Sequence, residues 1–318
     1  MFLDADAVNR LLPMADAIDA IETALRQGLD PEADPHRTVV GVAAGQILLM
    51  PSATTRYAGV KVVTVAPGNA ERGLPRVQGV YLLLDCATLG PLALIDGIAL
   101  TSLRTPAVSA VAVRHLAVAD ARRLLVFGTG PQARGHIEAV RRVRPVEHVD
   151  VVGRHPARLH AFVEQCREAG IDAYAASPDA VREADIICCC TTAREPLFDS
   201  ALLRPHATVV AVGSHEPDAR EVDEHLVTRA TTVVEARSSA LREAGDIIHA
   251  IRGGTYQAES LATLDELVRG AVPVPPDRPR LFKSTGMAWE DLVTAAAIHA
   301  RIAVSRSAAA PLWTRAAP

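Results

Sequence analysis

The stretch Leu124-Leu125-Val126-Phe127-Gly128-Thr129-Gly130-Pro131-Gln132-Ala133-Arg134-Gly135-His136 limits the fold of this chain more than any other. Four apolar residues run into a G-x-G-x-x-A pattern, and Ile137, Ala139, Val140 and Val143 continue with helical spacing. Strand, tight turn and helix in that order form the opening unit of a doubly wound sheet. Gly128 permits the turn. Gly130, without a Cβ, lets a pyrophosphate approach the backbone, and Ala133 keeps the helix close to the sheet. The free N–H groups at the start of the helix then face the phosphates. Gly128, Thr129, Gly130, Pro131, Gln132 and Ala133 are therefore assigned to a dinucleotide site. A purely structural turn is the plainer alternative, but a second strand expected over 149–152 counts against it.

The rest of the chain splits around this unit. Downstream, strands expected over 149–152, 171–175, 185–190, 208–213, 231–234 and 281–282 alternate with helical stretches such as 157–169. That alternation predicts a parallel sheet with right-handed crossovers. Ser177-Pro178 reads as an N-cap followed by proline at the first helical position. Upstream, a helix over 14–28 carries Ile18, Ile21 and Leu25 on one stripe and ends at a glycine. Strand-like runs follow over 38–43, 46–50, 57–65, 80–85 and 92–96 with no helix between them, which predicts an antiparallel sheet. An alanine-rich helix over 100–116 closes that part. A long apolar helix over 287–304 is expected to return to it, with a frayed tail from Ser307. The expected fold class is α/β, a Rossmann doubly wound parallel sheet over 117–289 inserted in a second, α+β domain built from 1–116 plus 290–318.

Composition removes several functions. A length of 318 residues suits two domains. A net charge of −4 argues against a nucleic acid or an anionic membrane as partner. No apolar run is long enough to span a bilayer. The first residues carry Asp4 and Asp6 and no apolar signal region, so a cytoplasmic protein is expected. Cys86, Cys166, Cys188, Cys189 and Cys190 read as small hydrophobes in a reducing compartment. With no H-E-x-x-H or C-x-x-C, no metal is expected.

Lys61 and Lys283 are the only lysines; every other strong base is arginine. A lysine retained against that background is expected to serve its own chemistry. Lys61 lies among valines in Gly59-Val60-Lys61-Val62-Val63, so a partner anion is expected for it. It would meet a substrate carboxylate or pass a proton; a strand-edge lysine reaching water is the plainer reading. Arg104, in an otherwise apolar helix, can grip a carboxylate bidentately or sit in a structural ion pair. Arg37 by itself reads as surface charge. At the end of the second strand, Arg154 with Arg158 behind it suits the 2′-phosphate of NADP(H), with NAD(H) as the alternative, because Asp150 falls too early to take ribose hydroxyls. His215 follows a parallel strand at the carboxyl edge and titrates near neutral pH, as an acid–base group or a plain loop histidine. Thr191 and Thr192 end another strand on that edge. Ser284 and Gly286, in Lys283-Ser284-Thr285-Gly286, form a turn assigned to the coenzyme, with a helix cap as the competing account.

Taken together, Gln46-Ile47-Leu48-Leu49-Met50-Pro51, Gly59-Val60-Lys61-Val62-Val63, Ala99-Leu100-Thr101-Ser102-Leu103-Arg104-Thr105, the glycine turn and Phe282-Lys283-Ser284-Thr285-Gly286-Met287-Ala288 give the chain a resemblance to the ornithine cyclodeaminase/mu-crystallin family over nearly its whole length. The resemblance implies a homodimer formed through strands of the substrate domain. It also implies that Arg37, Lys61 and Arg104 hold the carboxylate of an amino or imino acid beside the nicotinamide. Two positions depart from the cyclodeaminases. His215 stands where they carry an Asp that acts on the substrate amine, and Leu48 stands where they carry a Glu.

The sequence thus predicts an NAD(P)H-dependent oxidoreductase, NADP(H) preferred, that moves hydride to or from the α-carbon of an imino or amino acid, with Lys61 or His215 managing the proton. The alternatives are a cyclodeaminase that releases ammonia from ornithine or lysine with catalytic NAD, and a non-catalytic NADPH-dependent binder of a small ligand.

Overall fold

The computed structural model describes residues 1–308. Contacts group the chain into two units. One comprises Met1–Ala20, Asp34–Arg104 and the chain from Ala288; the other comprises Ile21–Ala33 and Thr105–Met287. The expected boundaries lay at 116/117 and 289/290. The contact clusters instead divide inside the helix that follows the antiparallel strands and just ahead of the final helix, and Ile21–Ala33 join the second unit. Residues 309–318, which include most of the expected frayed tail, lie outside the described residues.

The chain opens with β1 (Phe2–Leu3), α1 (Ala5–Leu11) and α2 (Met14–Arg26). The Asp4 carboxylate caps α1 by accepting from the Ala7 N–H. After α2, Gly28 takes φ +92°, the left-handed conformation that glycine adopts without cost at a helix end. Next come β2 (Thr38–Val42), β3 (Gly45–Ala53), β4 (Tyr57–Val65), β5 (Val77–Asp85), β6 (Pro91–Asp96) and α3 (Gly97–Leu116). The strands form one sheet in the order β1-β6-β5-β4-β3-β2, antiparallel except for the β1–β6 pair. Met50, Lys61 and Tyr81 stand opposite one another across β3, β4 and β5. All three are buried. The edge strand β2 is exposed along its whole length, with Val39, Val40 and Val42 open to solvent.

The parallel unit continues with β7 (Arg123–Phe127), α4 (Pro131–Val143), β8 (His148–Val152), α5 (Pro156–Glu168), β9 (Ala173–Ala175), β10 (Ile186–Cys189) and β11 (Thr208–Ala211). It ends with α6 (Glu224–Arg229), β12 (Thr231–Val234), α7 (Arg237–Glu243), α8 (Gly245–Arg252), β13 (Ala262–Thr263), α9 (Leu264–Val268) and β14 (Arg280–Lys283). The last helix, α10 (Ala288–Ala308), belongs to the first unit and packs on β3, β4 and β5.

The parallel sheet runs β13-β12-β14-β11-β10-β7-β8-β9. Its central strands β10, β11 and β14 are buried along their whole length, as a sheet covered on both faces requires. One expectation is refined and one is corrected. Ser177 is the N-cap and Pro178 opens the helical segment, as expected, but that segment is a short 3₁₀ turn, Pro178–Arg182, and the Ser177 hydroxyl makes no capping bond. The strand expected to reach Gly213 ends at Ala211, which leaves Val212 and Gly213 in the loop beyond it. Both follow from locally ambiguous signals: Ser-Pro starts either kind of helix, and apolar residues run past the last ladder bond.

Candidate active site

The parallel register aligns Val152, Phe127, Cys189, Ala211, Lys283 and Val234 in one row across six strands. Everything just after that row therefore lies on one edge of the sheet. Gly128 to Gly130, Cys190 to Thr192, Val212 to His215, Ser284 to Gly286, and Arg154 all do so. The strand order reverses between β7 and β10, so this is also the switch point at which open α/β sheets take ligands.

Gly128 has φ +118°, and a Cβ there would overlap the Cys190 carbonyl oxygen. The turn needs a glycine for its own backbone. Gly130 differs: it has nothing within 4 Å of where its Cβ would be. It is also the N-cap of α4, with no side chain capping the first turn and Pro131 at the start of the helix. The open space and uncapped N–H groups fit a phosphate group. Ala133 is fully buried, as its assigned role against the sheet requires. Behind the turn, the buried His136 sits 2.7 Å from the Gln132 carbonyl through Nδ1 and 2.9 Å from Ser109 Oγ through Nε2. Burial pushes its pKa down to about 4, so it is a neutral pin for α4.

Arg154 and Arg158 are both exposed after β8, and neither makes an ion pair among the described residues. Thr191 is half-buried and Thr192 exposed. His215 is exposed in the loop after β11. Ser284 and Gly286 are held by Glu235, a buried residue directly after β12. Its carboxylate accepts from Ser284 Oγ at 2.5 Å, from the Thr285 N–H at 2.8 Å and from the Gly286 N–H at 2.9 Å. The Lys283-Ser284-Thr285-Gly286 turn is thus fixed by Glu235 as a unit.

In the antiparallel unit, Lys61 and Arg104 are brought together by the first turn of α10. Lys61 Nζ lies 2.7 Å from Asp291 Oδ2 and 3.3 Å from Thr101 Oγ1. Arg104 donates to Glu290 Oε2 at 2.5 Å and to Asp291 Oδ1 at 3.3 Å. All four charged side chains are buried. The anion expected for Lys61 is therefore supplied by the chain itself. The ammonium has three N–H bonds, and two have partners among the described residues, which leaves one donor position. Burial, together with the neighbouring Arg104 charge, pushes Lys61 down to about 8, while Asp291 and Glu290 act the other way.

Asp34 completes the cluster. Its carboxylate accepts from Ser52 Oγ at 2.6 Å and from the Trp289 N–H at 2.6 Å, so it caps α10. Burial pushes it up to about 6, with the two hydrogen bonds opposing and Asp291 adding to the rise. The Tyr81 hydroxyl is buried without a hydrogen-bond partner among the described residues, and burial and the nearby Asp291 and Asp34 hold it in the phenol form. Arg37 is partly exposed, three residues beyond Asp34 in the segment leading into β2. Sequence reasoning missed Asp34, Glu235, Glu290 and Asp291. One signal for the last two was present: adjacent carboxylates opening an otherwise apolar helix, in a chain whose buried lysine required an anion.

Fold and site together define a Rossmann-type α/β protein with an open glycine turn at an uncapped helix start and a second unit holding buried cations. Residues 1–306 match the ornithine cyclodeaminase/mu-crystallin family model. The chain belongs to that family. It is 36% identical over 307 residues to a Delta(1)-pyrroline-2-carboxylate reductase of Bacillus cereus, covering 93% of this chain and 94% of that one. It is 34% identical over 307 residues to the ketimine reductase mu-crystallin of Rattus norvegicus, covering 94% and 96%. Among solved structures, the Thermococcus litoralis Delta(1)-pyrroline-2-carboxylate reductase in complex with NADH and L-proline superposes with a TM-score of 0.88, at 33% identity over 96% of this chain and 98% of that one. No helix among the described residues is long and apolar enough to cross a membrane.

Proposed function

We propose that this protein is an NAD(P)H-dependent reductase of cyclic or linear α-imino acids, running in reverse as an amino acid dehydrogenase. The observation that carries the reading is the buried Lys61–Arg104 cluster in a chain that also holds the dinucleotide turn. Its relatives' reductase activities support it. The nicotinamide coenzyme, when bound, supplies hydride to the α-carbon. The chain's residues do the rest. Arg37, Lys61 and Arg104 anchor the substrate carboxylate, the last two held in place by Glu290 and Asp291. Lys61, with one donor position open, holds a proton for the substrate nitrogen. His215 is the second candidate for that proton, and His215→Asn separates the two. Consumption of NADPH with pyrroline- or piperideine-2-carboxylate tests the whole reading. Absence of turnover on every cyclic imine, and on pyruvate with amine, would sink it. No ammonia release is expected from ornithine, because Leu48 and His215 stand where a cyclodeaminase carries carboxylates.

The pH profile follows from Lys61. A proton-donating ammonium whose pKa is brought down to about 8 is lost as pH rises through that value. The rate of imine reduction, kcat/KM, is expected to fall tenfold per pH unit above about 8. A profile flat to about pH 10 would remove Lys61 from the proton step.

NADP(H) is the preferred coenzyme in this reading, with Arg154 and Arg158 free on the surface to meet a 2′-phosphate. Arg154→Ser is expected to raise KM for NADPH roughly tenfold and leave KM for NADH within about twofold. Equal changes for both coenzymes would move the 2′-phosphate elsewhere. The exposed apolar edge strand β2 is the surface we assign to a homodimer, since an open strand edge of this kind is normally covered. The five cysteines are unpaired, which supports a reducing, cytoplasmic location.

A further inference from the structure

A second buried ionic group lies on the carboxyl edge of the parallel sheet, and none of the roles above uses it. Lys283, the last residue of β14, donates to the Ser214 carbonyl at 2.7 Å and to Ser214 Oγ at 2.7 Å, and its Nζ lies 2.9 Å from Asp246 Oδ2. Ser214 Oγ donates to the same Asp246 oxygen at 2.8 Å. Asp246 Oδ1 accepts the N–H of Glu221 at 2.7 Å and of Val222 at 3.0 Å. The network therefore fixes the backbone of Glu221.

The Glu221 side chain then joins two strand ends. Its Oε1 accepts the N–H of Thr191 at 2.8 Å and the Thr191 hydroxyl at 2.7 Å. Its Oε2 accepts the N–H of Gly213 at 2.7 Å. Thr191 follows β10 and Gly213 follows β11, beside the point where the strand order reverses. A Cβ on Gly213 would overlap both the Thr191 carbonyl and this carboxylate, so only glycine lets the two loops close on Glu221.

We propose that Glu221 is a positioning residue for the coenzyme, clamping the loops after β10 and β11 in the arrangement that receives the dinucleotide. The proposal rests on the reading of this edge as the dinucleotide site. The clamp depends on charge, because an ionised carboxylate makes stronger bonds to N–H and O–H donors than a neutral acid. Burial pushes Glu221 up to about 7, with Lys283, Thr191 and Gly213 opposing and Asp246 adding to the rise. The charged groups that face it are Lys283 from β14 and Asp246 from the first turn of α8. On the β10 side stand Thr191 and the thiols of Cys188, Cys189 and Cys190, which burial holds neutral. As pH falls through about 7, Glu221 gains a proton, the two loops loosen, and coenzyme affinity falls.

Equilibrium titration with NADH tests this, since NADH lacks the 2′-phosphate that itself titrates near pH 6. In the wild type, Kd is expected to rise about tenfold between about pH 8 and pH 6. Glu221→Gln should weaken NADH binding about tenfold at pH 8 and abolish the pH dependence, raising KM for NADH without a matching fall in kcat. Glu221→Asp, which keeps the charge, should retain the pH dependence. A flat wild-type profile, or a Gln variant with the wild-type profile, overturns the clamp. Should the Gln variant fail to fold, the wild-type profile decides. A wild type that binds neither NADH nor NADPH at any pH overturns the dinucleotide site and the clamp with it.

Discussion

Lys61→Met is expected to lower kcat/KM for imine reduction by about 10²- to 10⁴-fold, the range for losing a general acid. Stability falls as well, because Asp291 keeps its burial and loses its closest cation. Removing one partner of a buried pair costs about 3–5 kcal/mol. The two effects come apart in the double variant Lys61→Met/Asp291→Leu. There Arg104 still pairs with Glu290, and no buried carboxylate is left uncompensated. Thermal stability should return toward the wild-type value while activity stays low. A double variant that regains both would make Lys61 a structural cation only.

Substituting the two turn glycines should produce opposite failures. Gly130→Val should leave the fold intact, since the protein has no atom within 4 Å of the new Cβ. The added side chain would fill the space assigned to the pyrophosphate. NADH and NADPH binding should weaken at least about 100-fold, with Tm close to wild type. Gly128→Val should instead destabilise the protein outright, because it needs a left-handed φ and overlaps the Cys190 carbonyl. Calorimetry and coenzyme titration on both variants check this. Loss of stability in Gly130→Val with binding unchanged would mean that the glycine serves the turn and not a ligand.

The parts of the site legible in the sequence are those written in neighbouring residues. The strand-turn-helix signature around Gly128 is local, and so is the apolar run of each parallel strand. Lys61 declared itself because a charge among valines on one strand needs an anion. What stayed hidden was which anion. Arg104 and Glu290 are 186 residues apart in the chain, and no periodicity links them. Asp34 looked like part of a Pro- and Asp-rich link, yet it caps α10 more than 250 residues later, through the Trp289 N–H. Glu235 and Glu221 each gather donors from loops that meet only once the sheet is assembled.

The amino-acid sequence alone determined the alternation of strands and helices, the glycine turn, and the need for a buried counter-charge, because these depend on backbone sterics and on the cost of moving a residue out of water. Tertiary structure alone decided the strand order, with β14 entering between β11 and β12, and the pairing of Lys61 and Arg104 with the first turn of α10. Those outcomes belong to folding as a whole: a hydrogen-bonded row or a buried ion pair acquires its energy only after distant segments have closed around it.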